Sequence, residues 1–182
     1  KIAFPAEFHA QTAVEAAFAL HPEIVNRLDQ IERIQLETQE PGVRIIDKKG
    51  PLNNYADRDH CLQYMVAIGL IFGELTADHY SDEIATDPRI DAIRQKMVVG
   101  ENESFTRDYY DLEKRAIGNA IQVFFTDGSC TERIEVQYPI GHRVRRAEGI
   151  PIMVEKFERA TRQLYDGDSA DQVIGLFSDG AS

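Results

Sequence analysis

The chain of 182 residues is long enough for one domain, or for one domain with a docking tail. Its 20 Lys and Arg against 31 Asp and Glu give a formal net charge of −11, which argues against binding to the phosphate backbone of nucleic acids. The most apolar run, residues 65–72, is too short to span a bilayer and argues against membrane association.

The first half of the chain carries one strand pattern among several helical ones. Apolar side chains recur at helical spacing in three segments, residues 6–20, 22–28 and 57–72. We expect Pro22 to separate the first two, because proline fits the first turn of a helix better than its interior. From residue 31 to residue 38 the period changes to two, which predicts a half-buried strand. A helical turn at 43–47 then precedes a loop at 48–51.

The second half contains the clearest strand signals. Short helices are expected over residues 76–97, followed by a short strand at 98–99. Apolar and polar side chains alternate over residues 117–125 and 130–138, as they do in strands. Residues 126–129, Thr-Asp-Gly-Ser, predict a tight hairpin turn between these strands, because Gly supplies the positive φ that such turns require.

The end of the chain is expected to form a basic loop followed by two helices. The loop carries Arg143, Arg145 and Arg146, which fit either a polyanion contact or a salt-bridge patch in solvent. Pro151 is expected in the first turn of the next helix, and Gly167 between that helix and the last one. The pattern as a whole predicts an α+β fold with an antiparallel sheet of three or four strands packed with helices.

His9 is the first candidate for chemistry. It lies on the opening helix beside Ala10 and Ala13, which are small enough to let another surface approach. A neutral imidazole exchanges protons near pH 7, and this property suits an elimination reaction. The residues alone leave open the alternative that His9 is a surface or core histidine without a chemical role.

A second candidate cluster opens the helix expected at 57–72. Its members are Arg58, His60, Gln63 and Tyr64. Spacings of three and four place His60 beside Gln63 or Tyr64 on one helical face, where Arg58 and His60 could bind a carboxylate. The same residues fit an ordinary first turn of a helix in which Arg58 pairs with neighbouring aspartates.

Other patterns of catalytic residues are absent from the sequence. It has no glycine-rich phosphate loop, no His-x-x-x-His metal pair and no nucleophile elbow. The cysteine triplet of an iron–sulfur dehydratase is missing as well. Cys61 and Cys130 make no disulfide framework and fit a cytoplasmic setting.

Several blocks of the sequence resemble the C-terminal region of one family, the MmgE/PrpD family. They occur in family order over nearly the whole chain. The blocks are Phe4-Pro5-Ala6-Glu7-Phe8-His9-Ala10-Gln11-Thr12-Ala13, Arg44-Ile45-Ile46-Asp47-Lys48, Gly50-Pro51-Leu52, Ala56-Asp57-Arg58-Asp59-His60-Cys61, Gln63-Tyr64-Met65-Val66-Ala67 and Tyr138-Pro139-Ile140-Gly141-His142-Arg143. Each block alone is a weak signal, and the set together is specific.

The resemblance implies a hydro-lyase. Members of the family dehydrate 2-methylcitrate to 2-methyl-cis-aconitate in the methylcitrate cycle of propanoate breakdown, with no iron–sulfur cluster or obligatory metal, so no cofactor is expected. A related branch decarboxylates cis-aconitate to itaconate. The block at 57–61 favours the methylcitrate branch. The alternatives are the decarboxylase, a dehydratase of another tricarboxylate, and a non-catalytic α+β binding module.

The resemblance also implies a division of the chain. The family pairs a large helical domain with a smaller α+β lid, and the active site lies between them. Residues 1–148 would then be the lid, and residues 149–182 a helical tail that returns to the helical domain, a partner absent from this chain. A homo-oligomer is a further expectation.

Site residues follow from the resemblance residue by residue. His9 matches a histidine at the start of the lid and is the expected catalytic residue. Arg58, His60 and Tyr64 are the expected contacts of a small tricarboxylate substrate, and no metal ligand is expected. The loop that leads to Tyr55 departs from the decarboxylase branch, so Tyr55 receives no role.

Overall fold

Strands and helices alternate irregularly along residues 3–178, which are the residues described by the computed structural model. The described residues up to Pro139 form one compact unit, and those from Ile140 onward form a second. The first unit contains α1 (Gln11–Ile24), β1 (Ile31–Thr38), α2 (Glu40–Ile46), α3 (Tyr55–Asp59), α4 (Leu62–Phe72), α5 (Asp82–Ala85), α6 (Pro88–Arg94), β2 (Met97–Glu101), α7 (Glu103–Tyr110), β3 (Asn119–Phe125) and β4 (Ile134–Val136). The second contains α8 (Arg146–Leu164) and α9 (Gly167–Ser178). The predicted α+β class is confirmed.

The four strands form one sheet in the order β2-β1-β3-β4. Two of the three pairings, β1 with β3 and β3 with β4, are antiparallel, as expected from the sequence. The pair of β1 and β2 is parallel, with Ile34 opposite Met97. A parallel pair needs a long crossover, and the helical segment 39–96 provides it.

One face of the sheet packs against α1, which packs in turn against α4, and together they form the main core. Ile34 and Leu36 of β1 lie opposite Val123 and Ile121 of β3, and all four are fully buried. The alternation of these side chains with polar ones is the pattern that predicted the strands. Helix α4 is buried over almost its whole length, because it lies between α1 and α6.

Charged side chains cross the other face of the sheet. Arg133 donates to Glu37 of β1 and to Glu135 of β4, each at 2.6 Å, and so passes over Ala120 of the strand between them. The Arg133 guanidinium holds the pKa of Glu37 below its ordinary value.

The two prolines expected to begin helices lie inside them instead. Helix α1 continues through Pro22 to Ile24, and Pro151 is the sixth residue of α8, which begins at Arg146. Pro22 is tolerated because it lies in the last turn, where only one hydrogen bond is lost. These two predicted helix starts were therefore wrong.

The second unit is a pair of helices, α8 and α9, that contact each other through a few side chains. The rings of Phe157 and Phe177 lie 5.2 Å apart, and Arg162 pairs with Asp171 at 2.8 Å. Gly167 begins α9 close to the predicted position. Within residues 3–178 no helix is long and apolar enough to cross a membrane. The division into a lid and a returning tail stays a prediction.

Candidate active site

His9 lies in a single 3₁₀ turn, Phe8–Ala10, that precedes α1. Glu7 caps this turn, and its Oε2 accepts a hydrogen bond from the His9 backbone N–H at 2.7 Å. Gln11 Nε2 donates to the Ala6 carbonyl at 2.6 Å and holds the incoming chain. Local sequence therefore fixes the backbone at His9, although the predicted start of the helix at residue 6 was too early.

The His9 ring is buried between a carboxylate and a phenol. His9 is 7% exposed. Its Nδ1 lies 3.0 Å from Glu7 Oε1, and its Nε2 lies 3.2 Å from the Tyr109 hydroxyl. Both ring nitrogens thus have a hydrogen-bonding partner that is itself able to gain or lose a proton. The three side chains are arranged for proton transfer.

Asn119, the first residue of β3, fastens the His9 turn to the sheet. Its Nδ2 donates to the His9 carbonyl at 2.9 Å and to Thr12 Oγ1 at 2.7 Å, and Thr12 in turn donates to the Ile117 carbonyl. Asn119 is fully buried, and its Oδ1 has no hydrogen-bond partner within residues 3–178. A buried polar atom without a hydrogen-bond partner lowers the free energy of unfolding, so Oδ1 offsets part of the stability that the Nδ2 hydrogen bonds contribute.

Three chain segments meet at this edge of the sheet. Strands β1 and β2 are parallel and both end here, and β3, antiparallel to β1, begins here. The Asn102 backbone N–H donates to the Thr38 carbonyl at 2.8 Å, which ties the start of α7 to the end of β1. The parallel pairing therefore places Tyr109 of α7 beside His9.

The cluster Arg58, His60 and Tyr64 does not lie on one helix. The helix expected at 57–72 is broken at His60 and Cys61, where Cys61 adopts an extended backbone, and α3 and α4 lie on either side. Asn54 caps α3 as a separate helix, with its side chain accepting from the Asp57 N–H. The prediction of one continuous helix, and of a shared face for His60 and Tyr64, was wrong.

Each member of that cluster has its own partner within the fold. Arg58 is 5% exposed and donates to the Tyr80 carbonyl at 2.6 Å. His60 is exposed and lies 2.5 Å from Asp59 Oδ1. The Tyr64 hydroxyl donates to the His79 carbonyl at 2.7 Å, and burial raises the pKa of Tyr64 to about 12. Their role as substrate contacts stays a prediction.

Comparison with known proteins identifies the family. The family profile described as MmgE/PrpD C-terminal domain matches residues 4–178. The chain belongs to the MmgE/PrpD family. It is 55% identical over 96% of its length to "2-methylcitrate dehydratase, mitochondrial" of Yarrowia lipolytica. It is also 60% and 57% identical, each over 87% of its length, to proteins named 2-methylcitrate dehydratase from Salmonella typhimurium and Escherichia coli.

The MmgE/PrpD domain described here is only part of the length of these relatives. The matches cover 34% of the Yarrowia protein and 33% of each of the two bacterial proteins. The chain therefore spans about a third of the curated relatives it matches.

Two residues of the His9 cluster were not predicted from the sequence. Glu7 occurs there only as part of a family block, and α7, which carries Tyr109, was not predicted. A signal for α7 was present, because Asn102 precedes an acidic first turn and its side chain caps the Ser104 N–H at 3.0 Å. No local signal connects Tyr109 to His9, since 100 residues separate them.

A cleft of about 470 Å³ lies elsewhere in the first unit of the MmgE/PrpD domain. Its lining is Lys48, Lys49, Gly50, Pro51, Gln63, Asp91, Arg94, Gln95 and Met97. Its cations are paired with carboxylates: Lys48 with Asp57 at 2.5 Å, and Arg94 with Asp91. The hydrogen bond from Lys48 holds the pKa of Asp57 below its ordinary value. Because the charges are paired, the cleft gives no clear preference for an anion.

The basic stretch Arg143, Arg145 and Arg146 lies at the start of α8 in the second unit. Arg145 pairs with Glu148, with 2.8 Å between Nη2 and Oε2. This contact fits the salt-bridge alternative of the two that the sequence left open. It is exposed, and exposed pairs of this kind contribute little to stability.

Proposed function

We propose that the complete protein carrying this chain is a hydro-lyase that removes water from 2-methylcitrate and forms 2-methyl-cis-aconitate. The identity of this chain to three proteins named 2-methylcitrate dehydratase, 55%, 60% and 57%, carries the proposal. The substrate is a small tricarboxylate, and the place of the reaction is the methylcitrate cycle of propanoate breakdown.

The proposed partner of this domain is the helical domain of the same protein, with the substrate between the two. Residues 149–182 return to that domain in this proposal, and a second copy of the protein completes a homo-oligomer. The cytoplasm is the proposed location, and the name of the Yarrowia relative places that protein in mitochondria. Arg58, His60 and Tyr64 remain candidate contacts of the substrate carboxylates.

His9 is the residue of this chain that we propose for the chemistry. Loss of water from a β-hydroxy acid needs a base for the hydrogen next to a carboxylate and an acid for the departing hydroxyl group. An imidazole with both nitrogens in hydrogen bonds is suited to the movement of a proton. Positive groups that stabilise the enediolate-like charge complete such a site.

The substrate is tested by product analysis with the complete gene product. 2-Methylcitrate and cis-aconitate are supplied separately, and the products are separated by chromatography. We expect 2-methyl-cis-aconitate from the first and no itaconate from the second. Formation of itaconate with release of carbon dioxide would instead assign the protein to the decarboxylase branch, and no product from either would remove the hydro-lyase proposal.

The role of His9 is tested by His9→Ala in the same protein. We expect turnover to fall about 100-fold or more, the usual range for loss of a group that transfers protons. The circular dichroism spectrum should stay that of the wild type, because Glu7 still caps the turn and Asn119 binds only the His9 backbone. Unchanged turnover would exclude His9 from the mechanism.

A further inference from the structure

The hydrogen bonds of Glu7 determine which nitrogen of His9 carries a hydrogen in the neutral ring. Glu7 Oε1 lies 3.0 Å from Nδ1, and Glu7 Oε2 accepts from the backbone N–H of the same residue. The carboxylate is therefore held by two contacts with one residue. An ionised carboxylate can only accept hydrogen bonds, so Nδ1 is the protonated nitrogen. The nitrogen that gains and loses a proton is then Nε2.

Tyr109 occupies the position in front of Nε2. Its hydroxyl lies 3.2 Å from Nε2, and the two rings are 5.7 Å apart. Tyr109 is half-buried, whereas His9 is buried, so the phenol is the more accessible of the two groups. Part of the Tyr109 side chain is therefore open to solvent beside the buried imidazole.

Protonation of His9 reverses the direction of this hydrogen bond. When His9 is neutral, Nε2 accepts the hydrogen of the Tyr109 hydroxyl, and this hydrogen is not available to another acceptor. When His9 is protonated, Nε2–H donates to the Tyr109 oxygen. The hydroxyl hydrogen is then free to bond to a substrate oxygen.

We propose that Glu7, His9 and Tyr109 form a proton relay that serves the departing hydroxyl group, with Tyr109 as the catalytic acid and Glu7 as a residue that positions His9. This inference rests on the proposed hydro-lyase function and adds to it the acid and its proton source. If His9 instead acted alone, Tyr109 would not donate the proton and Glu7 would not be needed to position His9.

In the proposed step, the Tyr109 hydrogen moves to the departing hydroxyl oxygen while the proton on Nε2 moves to the Tyr109 oxygen. The C–O bond breaks and its electrons stay with the oxygen, which leaves as water. A base of the complete site takes the neighbouring hydrogen as a proton, and the electron pair of the broken C–H bond forms the C=C bond. His9 ends neutral, and solvent takes the proton from the base and returns one to Nε2.

The other ionisable groups packed around the His9 turn have partners of their own. Helix α2 carries Glu40 and Arg44, which pair with each other at 3.4 Å. Glu40 also accepts from the Tyr110 hydroxyl of α7 at 3.0 Å. The hydroxyl of Tyr64, in α4, donates to a backbone carbonyl. Glu7 is thus the carboxylate in direct contact with the His9 ring.

The relay needs the contact between Glu7 and Nδ1, because this contact presents Nε2 of His9 to the Tyr109 hydroxyl. Glu7→Gln puts a neutral amide, which can either accept or donate, in place of a carboxylate that can only accept. We expect kcat to fall in this variant while KM stays close to the wild-type value.

The test uses the complete gene product with 2-methylcitrate. For Tyr109→Phe we expect kcat about 100-fold lower with KM nearly unchanged, since only the proton donor is removed. Tyr110→Phe is the matched control: it removes a neighbouring hydroxyl that bonds Glu40, and it should keep wild-type kcat. Wild-type kcat in Tyr109→Phe, or in folded Glu7→Gln, would overturn the relay.

A measurement without turnover separates the relay from the proposed function. In the neutral form of the His9 ring, the ¹⁵N resonances of the wild-type protein should report hydrogen on Nδ1, and those of the Glu7→Gln protein should report a mixture of tautomers. Hydrogen on Nε2 in the wild type contradicts the relay even if the enzyme is active. A wild-type protein that has the expected tautomer and converts no 2-methylcitrate contradicts the proposed function instead.

Discussion

Arg58 is a buried cation whose contacts lie within the fold. Its side chain is 6% exposed, and it donates to the Tyr80 carbonyl and, at 2.7 Å, to Asp82 Oδ1. Its Nε is buried without a hydrogen-bond partner among residues 3–178. These contacts join α3 to the turn at residues 77–80 and to α5. The sequence left open a pairing of Arg58 with the neighbouring Asp57 and Asp59, and the structure shows a pairing with Asp82 instead.

Arg58→Met should destabilise the chain by about 2–4 kcal/mol, because the Tyr80 carbonyl loses its partner and Asp82 loses its cation. Asp82→Asn is the control. Asp82 is 90% exposed, so its removal should cost no more than about 1 kcal/mol. Urea denaturation followed by far-ultraviolet circular dichroism measures both. Equal losses for the two variants would mean that the backbone contact of Arg58 contributes nothing.

At the scale of elements, the close packing of α1 on α4 depends on small residues. A Cβ added at Gly69 would lie 2.8 Å from the Cβ of Ala17 and 3.3 Å from the Phe18 ring. Ala17 is fully buried, and its Cβ is fixed by the backbone of α1, so it cannot move aside. The absence of a side chain at Gly69 therefore sets the distance between α1 and α4.

Gly69→Ala should lower the free energy of unfolding by about 1–3 kcal/mol, because overpacking costs more than the helical propensity of Ala returns. Gly100→Ala, in β2, is the matched control: its added Cβ would meet only Gln35 Nε2, at 3.7 Å. That change should stay within about 0.5 kcal/mol. Thermal denaturation of the two variants compares them, and a harmless Gly69→Ala would show that α1 and α4 separate easily.

Element boundaries show where local patterns succeed. Strand β1 was predicted at its observed residues, because Ile34, Leu36 and Thr38 face one buried side. The hairpin before Cys130 was also expected, and Gly128 has the positive φ that its turn requires. The break between α3 and α4 was not predicted. The apolar side chains keep a helical spacing across it, although Asn54 caps α3 separately and Cys61 has an extended backbone.

At the scale of the whole molecule, the two units differ in what stabilises them. The first has a continuous core around α1, α4 and the sheet. The second is a helix pair that leaves large apolar side chains exposed: Ile150, Met153, Leu164, Leu176 and Phe177. Two helices bury too little surface to be stable alone, and apolar surface of this kind is typical of a docking face. The helical domain proposed as partner would cover it.

The sequence by itself determined the α+β class, the main strands, the MmgE/PrpD family and His9 as a candidate, because periodicity, turn residues and family blocks are local features. Tertiary structure decided the environment of His9. The parallel pairing of β1 with β2 places α7 at the sheet edge, and only then does Tyr109 reach Nε2. Contacts across 100 residues leave no trace in local spacing, since they depend on how strands pair after the chain has folded back.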